Sequence, residues 1–600
     1  MNVTTMKKIF FIAALFGALL SATSCSDILD TKSDRNVYDP SLSEKTDSMF
    51  YTLGILKGVQ QVIDQNVLIN EMRGDLTATN SNTETALRQL ANFSATTTNK
   101  YDSAYLYYRI INNCNYYIAH RDTTLLTGSR KVSMPEYVEA KAIRAWAYIQ
   151  LAKNYDKVPF YTQPVTSISE ANKNYPELDI QGICDELAPD LAQYAGYATP
   201  TYGDNQSIGS TNSGSTKEVN YSKVMFPVDL VLGDLYLETN QYEKAAKSYF
   251  NYIKLHRIAS RDWYVGGALM NVMGSSSVPR DFRWLNSGTN WTNNFSMDPI
   301  GCITYVPMAV NKLYGTVTNL PKLFGYDYYA VPKTSTSTSS SQYLDTREID
   351  PSDTYINLNA SQEYYYYPST SQTKDVVNAV ALGDFRRYGT LISITKNDSS
   401  FYSVNKYHQA NIYIYREATV YLRLAEALNR AGYPDAAFAI LKDGISVDAM
   451  ENATYVKPAT IQYLTTTIPF LSDENKTLFA TSYGIHGTGC GITEGAFSPY
   501  QMDNIVGEKI QAISDKYGVQ STGTINDTIN AVEDLICDEY ALELAFEGTR
   551  FGDLTRLARH KNAAGLYSTD FGNTWLAAKL AYKHPVVDLK QESNWYLPLK

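Results

Sequence analysis

Glu543, Glu547 and Arg550 follow one another at four- and three-residue spacings, and Asp553 and Arg556 repeat the pairing three residues apart. On a helix, such spacings bring side chains together on one face. Two carboxylates facing a sugar across a cleft are what glycoside hydrolysis needs, with roughly 5–9.5 Å between them. Here two arginines interleave the acids. A guanidinium beside a carboxylate lowers its pKa and holds it ionised, so neither acid would keep the proton that a general acid must deliver. The pattern reads as a structural ion-pair network.

Two further constellations could carry chemistry. Glu71, Arg73 and Asp75 alternate in a short segment between helical patterns. They read either as a salt bridge at an inter-helix turn or as the polar rim of a ligand site. In the second case arginine offers fixed donors to sugar hydroxyls or peptide carbonyls, so Arg73 and Asp75 stand as candidate ligand residues. His486 and Cys490 share the run Gly484-Ile485-His486-Gly487-Thr488-Gly489-Cys490. A base and a thiol so close suggest a nucleophile, but there is no G-x-S-x-G elbow, and a turn fits the glycines better. None of the six histidines stands at a zinc-ligand spacing. The Asn- and Asp-rich stretches complete no EF-hand loop, which leaves a structural calcium ion open but unlocated and points to no other cofactor.

The aromatic residues are the compositional outlier, with 49 Tyr against 20 Phe and 6 Trp. Half of the tryptophans, Trp263, Trp284 and Trp291, fall among Gly, Asn, Ser and Pro rather than in helix-forming runs. Tyr264 accompanies them, and Tyr326 and Tyr328 follow before the low-complexity stretch Thr334–Ser341. Flat rings stack on the apolar C–H faces of pyranose units while neighbouring polar side chains bond the hydroxyls. These six residues are the remaining candidate ligand contacts. Tyr355, Phe401, Tyr402 and Tyr407 extend the same irregular aromatic region.

Helices must position these groups. Asp229–Lys254 reads as two antiparallel helices: Leu232, Gly233 and Tyr236 on the first, Ala245, Tyr249 and Ile253 on the second, and a polar break at Glu238–Gln241. Leu-Gly-x-x-Tyr followed by Ala nine positions later is a tetratricopeptide packing signature. The offsets recur in Tyr421–Lys442, with Leu424, Ala425 and Leu428 before Ala437 and Leu441, and Gly432 and Pro434 in the turn. One hairpin cannot bury its own apolar face, so two imply a helical platform interrupted by a long insertion. Leu53–Val67 and Tyr105–Tyr117 carry apolar residues at helical spacing, as does the run after Ser133, where Ser133 and Glu136 suggest a capping box. Pro159 is expected to end that helix. A long C-terminal helix carries Ile536, Tyr540 and Leu544 up to Gly548.

At the N-terminus, Lys7 and Lys8 precede twelve apolar residues, Ile9–Leu20, too few for an ordinary membrane span. The run closes in Ser21-Ala22-Thr23-Ser24-Cys25 and resembles a bacterial lipoprotein signal, with Cys25 as the acylated residue and Ala22 where leucine is usual. A signal cut by the ordinary peptidase is the alternative. The other five cysteines are widely separated and read as mostly buried apolar residues with at most one or two bridges. A formal charge of −10 and no basic stripe argue against nucleic acid as a partner.

Several stretches resemble one family, the SusD/RagB-type outer-membrane lipoproteins of Bacteroidetes. Glu139–Pro159 is similar to its first signature helix, and Glu543–Leu554 with Arg556 to its C-terminal signature. Tyr108, Ile111 and Asn115 match its tyrosine–asparagine helix, and Tyr596-Leu597-Pro598 its final segment. The chain departs at Ala104, where Trp is frequent, and at Asp538-Glu539, where Glu-Arg is common. The resemblance implies a mainly α fold, with a tetratricopeptide-like helix-pair platform and a long irregular insertion. Its expected division is a signal at 1–24, a tether at 25–40 and one domain at 41–600. Within that domain the platform takes about 41–260 and 411–445 plus a helix at 528–548, and the variable ligand-binding region about 261–410 and 446–525. It further implies a lipid-anchored, non-catalytic protein at the outer-membrane surface, where Asp27 and Asp30 resemble an export signal. Such a protein binds oligosaccharide and delivers it to a SusC-like TonB-dependent transporter. A peptide or protein-fragment ligand for the same kind of transporter is the alternative, and a glycoside hydrolase a remote one.

Overall fold

The structure is a computed structural model that describes residues 45–202, 206–210, 216–258, 301–309, 315–325, 347–366, 378–380, 383–396, 399–407, 410–480, 484–490 and 500–599. Helix pairs dominate it. The helix Lys45–Arg73 packs on Ala104–His120 and Met134–Tyr155, which pack on each other. Met134–Tyr155 is buried nearly all round because Ile180–Ala192 and Val228–Glu238 cover its remaining sides. Its alanines 142, 145 and 147 permit that crowding, and Trp146 meets the Phe226 ring edge-on at 5.3 Å.

The expected capping box does not form at the start of this helix. Ser133 is itself in the right-handed helical region, and its hydroxyl donates instead to the Asp122 carbonyl at 2.6 Å. Pro135 in the first turn suits a position with no N–H to satisfy. The other end comes earlier than Pro159. Asp156 turns to φ +63°, and the helix closes at Tyr155.

Both expected hairpins are present, as Val228–Glu238 with Tyr242–His256 and as Glu417–Arg430 with Pro434–Lys442. A Cβ on Gly233 would stand 2.5 Å from Cε1 of Tyr249, so the first hairpin closes to this distance only around a glycine. In the second, Gly432 supplies φ +98° to the turn, while Pro434 begins the following helix rather than lying in the turn. Ala245 and Ala437 are fully buried. Tyr242–His256 packs on Glu417–Arg430, so the two hairpins are neighbours in space despite the long stretch between them.

The array continues through Ile525–Glu543 to Arg550–Ala564, which returns to the first helix. The single helix expected to run to Gly548 stops at Glu543. Phe546 and Gly548 take φ +66° and +83°, and a Cβ on Gly548 would meet Val67 at 2.8 Å. The turn is thus wedged against the first helix. The described residues also include short strand pairs. Cys302–Pro307 runs antiparallel to Asn411–Arg416, Leu391–Lys396 pairs with Ser399–Val404, and Thr77–Thr79 pairs with Ile349–Pro351. The five cysteines from Cys114 to Cys537 are buried, with no disulfide among them. Cys25 lies outside the described residues.

Candidate ligand-binding surface

The C-terminal acids and arginines do form a buried network; Asp553 and Arg556 pair at their helical spacing, at 2.8 Å, whereas Glu543, Glu547 and Arg550 take partners that helical spacing did not indicate. Glu543 and Glu547 pair across the fold. Glu543 accepts from Arg416 Nη1 at 3.0 Å and from Arg386 Nη1 at 2.9 Å. Glu547 accepts from Arg416 Nε at 2.9 Å and from Lys406 Nζ at 2.7 Å. Arg386 also meets Asp384 and Glu539, each at 2.6 Å. Arg556 joins Glu426 at 2.7 Å, Asp553 at 2.8 Å and Glu238 at 3.2 Å. Burial alone would raise these carboxyls. At Glu547 the charges of Arg416 and Lys406 outweigh it and hold the group low, and at Glu539 Arg386 and His486 bring it to about 2. These two buried, ionised acids have no proton to lend at neutral pH.

Arg73 and Asp75 belong to this interior and not to a ligand rim, which corrects the expectation for them. Arg73 donates to the Trp595 carbonyl at 2.8 Å and to Asn154 Oδ1 at 3.0 Å, and lies 4.2 Å over the Phe551 ring. Both oxygens of Asp75 are taken by Arg550, at 2.6 and 3.0 Å. Glu71 accepts from the Gly548 N–H at 2.7 Å, and burial pushes its carboxyl up to about 7. The cause is topological: the three residues end the first helix where the C-terminal helix and tail pack back on it.

His486 and Cys490 lie on a short buried helix, Ile485–Cys490, and not in an open turn. His486 pairs with Glu539 at 3.0 Å and stacks on Tyr500, while the Cys490 thiol contacts Asp384 at 3.4 Å. Burial and Asp384 raise that thiol far from the thiolate a nucleophile requires. Tyr355 and Tyr407 are core as well, with Tyr355 5.0 Å from the Phe546 ring. Trp263, Tyr264, Trp284, Trp291, Tyr326 and Tyr328 lie outside the described residues.

Polar and aromatic groups do converge at the surface where the 80–101 segment meets Arg347–Asp350 and the Ser399–Val404 strand. Tyr101 donates its hydroxyl to Glu84 Oε1 at 2.6 Å, and Lys100 reaches the other oxygen at 2.6 Å. The Glu84 N–H donates to Glu348 at 2.9 Å. Asn80 and Asn82 both donate to the Arg347 carbonyl at 3.3 Å. The Arg347 guanidinium lies 3.9 Å over the Phe401 ring and 2.9 Å from Asp350. Burial and the Glu84 carboxylate together raise the Tyr101 phenol, so it stays a hydrogen-bond donor. Tyr105, in the first turn of the helix Ala104–His120, is 64% exposed. The stretch after Asp75 reads in sequence only as a polar loop. Its pairing with residues some 260 positions later has no local periodicity to reveal it.

Among the described residues, no three His, Cys, Asp or Glu side chains converge as metal ligands. No protein-family model and no curated protein matches the chain. Solved structures do. A SusD superfamily protein from Bacteroides vulgatus is similar over 93% of this chain and 96% of its own, with a TM-score of 0.50 and 13% identity. A surface glycan-binding protein A from Bacteroides uniformis reaches 0.49 at 14% identity, over 93% and 96% of the two chains. A laminarin-binding SusD-like protein reaches 0.48 at 15%, over 92% and 95%. The chain has the fold of the SusD superfamily.

Proposed function

We propose that this protein binds oligosaccharide at the cell surface and passes it, chemically unchanged, to a TonB-dependent outer-membrane transporter. The whole-chain likeness to the SusD superfamily fold carries this reading. The segments that resemble the family's signatures support it, because they hold the fold together: Glu139 and Arg144 sit in the central helix, and Glu543, Glu547 and Arg556 in the buried ion-pair network. The close Gly233–Tyr249 approach supports tetratricopeptide-like hairpins. The platform and variable region divide near positions 261 and 411, with the tryptophan cluster in the variable part.

The candidate ligand contacts on this reading are Trp263, Trp284 and Trp291, with Tyr264, Tyr326 and Tyr328 next. Calorimetric titration of the mature protein against a polysaccharide panel tests the function, with the products assayed in parallel. Retention of a glycan without cleavage is expected. Alanine at a platform tryptophan should weaken binding by about tenfold, roughly 1.4 kcal/mol, and leave the thermal midpoint in place. A core tryptophan would instead cost about 3–5 kcal/mol of stability. Wild-type affinity in all three variants would remove the aromatic platform from these positions, and a peptide retained in place of any glycan would replace the ligand class.

Cys25 is the acylated residue and tethers the body to the outer membrane. The basic, apolar and small-residue order before it supports this, and several acyl chains on one residue suffice for stable anchoring. Among the described residues no helix is long and apolar enough to cross a membrane. Cys25→Ala should move the protein to the soluble fraction with loss of labelled acyl chain; retention in the membrane pellet would refute the anchor.

A further inference from the structure

Lys153, in the last turn of the central helix, is a buried ammonium short of partners. Its side chain is 8% exposed, and among the described residues its only ion pair is with Glu238, at 3.4 Å. That is longer than the roughly 2.7–3.2 Å of a good N–H···O bond. Glu238 is also shared with Arg556 at 3.2 Å and with Arg559 at 2.7 Å. An ammonium carries three donors, and a charge in the interior is costly unless they are met. The C-terminal signature makes room for this one: a Cβ on Gly552 would stand 2.4 Å from Lys153 Cε and 2.5 Å from Nζ.

Lys153 also lines a cavity of about 40 Å³, where the central helix, one helix of each hairpin and the Gly548 turn meet. Gln150, Asp234, Tyr415, Arg423 and Glu547 stand in the same wall. Asp234 is engaged by Arg423 at 2.6 Å and accepts from the Tyr249 and Tyr415 hydroxyls at 2.8 and 2.7 Å. Glu547 is held by Arg416 and Lys406. Neither acid is within ion-pair reach of Lys153, so the protein offers the ammonium no second carboxylate. A buried water needs about 10–15 Å³ of such volume and two to four polar partners, which gives this cavity room for about three. Water both donates and accepts, so it can take the Lys153 protons and give its own to carboxylate or amide oxygens of the wall. We infer that the cavity is a built hydration site, whose ordered waters complete the coordination of the Lys153 ammonium and bridge the central helix to the two hairpins.

Crystals of the mature protein that diffract well enough to show ordered water, unsoaked and soaked in sodium bromide, test this. Water peaks are expected within about 3.2 Å of Lys153 Nζ, with no anomalous bromide signal in the cavity. Lys153→Met leaves Glu238 to Arg556 and Arg559, so no acid is orphaned. That variant should lose the peaks beside Nζ while Arg423 and Asp234 stay paired. Magnetic relaxation dispersion of water should count fewer long-lived internal waters in the variant than in wild type. A bromide peak in the cavity would replace water by an anion and overturn the inference. So would Nζ bonded to protein oxygens alone with no water density beside it, a result the wild-type crystals give without the variant. Peaks that persist unchanged in Lys153→Met would show that the waters belong to the wall and not to the ammonium, and would overturn it as well.

Discussion

Arg416→Met should lower the free energy of unfolding by about 3–5 kcal/mol, the cost of leaving a buried charge without its partner. Arg416 is 2% exposed and bonds both carboxylates of the pair Glu543 and Glu547, along with the Glu543 carbonyl at 3.0 Å. Its removal leaves Glu547 to Lys406 and Glu543 to Arg386, in a site where water does not reach. Urea unfolding of the variant checks the prediction, and a change below about 1 kcal/mol would mean that water or side-chain movement restores the lost bonds. The surface pair Lys247–Glu243 is the control, with side chains 48% and 55% exposed at 2.7 Å. Lys247→Ala should stay within about 0.5 kcal/mol. A double variant, Arg416→Met with Glu547→Gln, should cost less than the sum of its singles, because each removes the same buried interaction.

The second large effect concerns Glu139, in the central helix. Its side chain is 2% exposed and accepts from the Phe226 N–H at 2.6 Å, and burial pushes its carboxyl up to about 8. A carboxyl whose folded pKa lies above its unfolded value binds a proton on folding. Its contribution is therefore full below about pH 4.5 and is lost as pH rises to about 8. Glu71, at about 7, and Asp229, at about 6, act in the same direction. Glu238 acts in the opposite one: Lys153, Arg556 and Arg559 outweigh its burial and hold it at about 2, so its contribution is lost only under strong acid. Wild-type stability should thus fall by up to about 1.4 kcal/mol per pH unit per such proton between pH 5 and 8. Glu139→Gln keeps an acceptor for Phe226 and removes one proton from that slope. The variant should be more stable than wild type at pH 8 by on the order of 2–4 kcal/mol, and close to it at pH 4. Parallel slopes in denaturant titrations across this range would show that Glu139 is ionised in the folded protein.

Periodicity and small-residue spacing were enough to read the helix pairs from sequence. Gly233 and Ala245, or Ala425 and Ala437, recur at offsets that only close-packed antiparallel helices need, and the structure places both hairpins where those residues indicate. The interleaving of acids with arginines likewise identified the C-terminal signature as a structural network, since that conclusion depends on composition and not on which partner is chosen. Three expectations gave way for local reasons. Ser133 adopts helical backbone angles and donates its hydroxyl to the Asp122 carbonyl, Asp156 closes its helix before the proline, and Phe546 turns the chain between Glu543 and Glu547.

What the sequence by itself determined is the set of residues obliged to be inside and the regular elements that put them there, because burial and hydrogen bonding impose periods of a few residues. The tertiary structure alone decided which charge meets which. Arg416 reaches Glu543 across 127 positions and Arg550 reaches Asp75 across 475, and no local period links such residues. It also decided that Arg73 and Asp75 lie in the interior while Glu84, Lys100 and Arg347 come together at the surface. Helix ends and short strands are brought together there by the packing of whole elements, and that placement depends on the summed burial of the core rather than on any feature of the segments that meet.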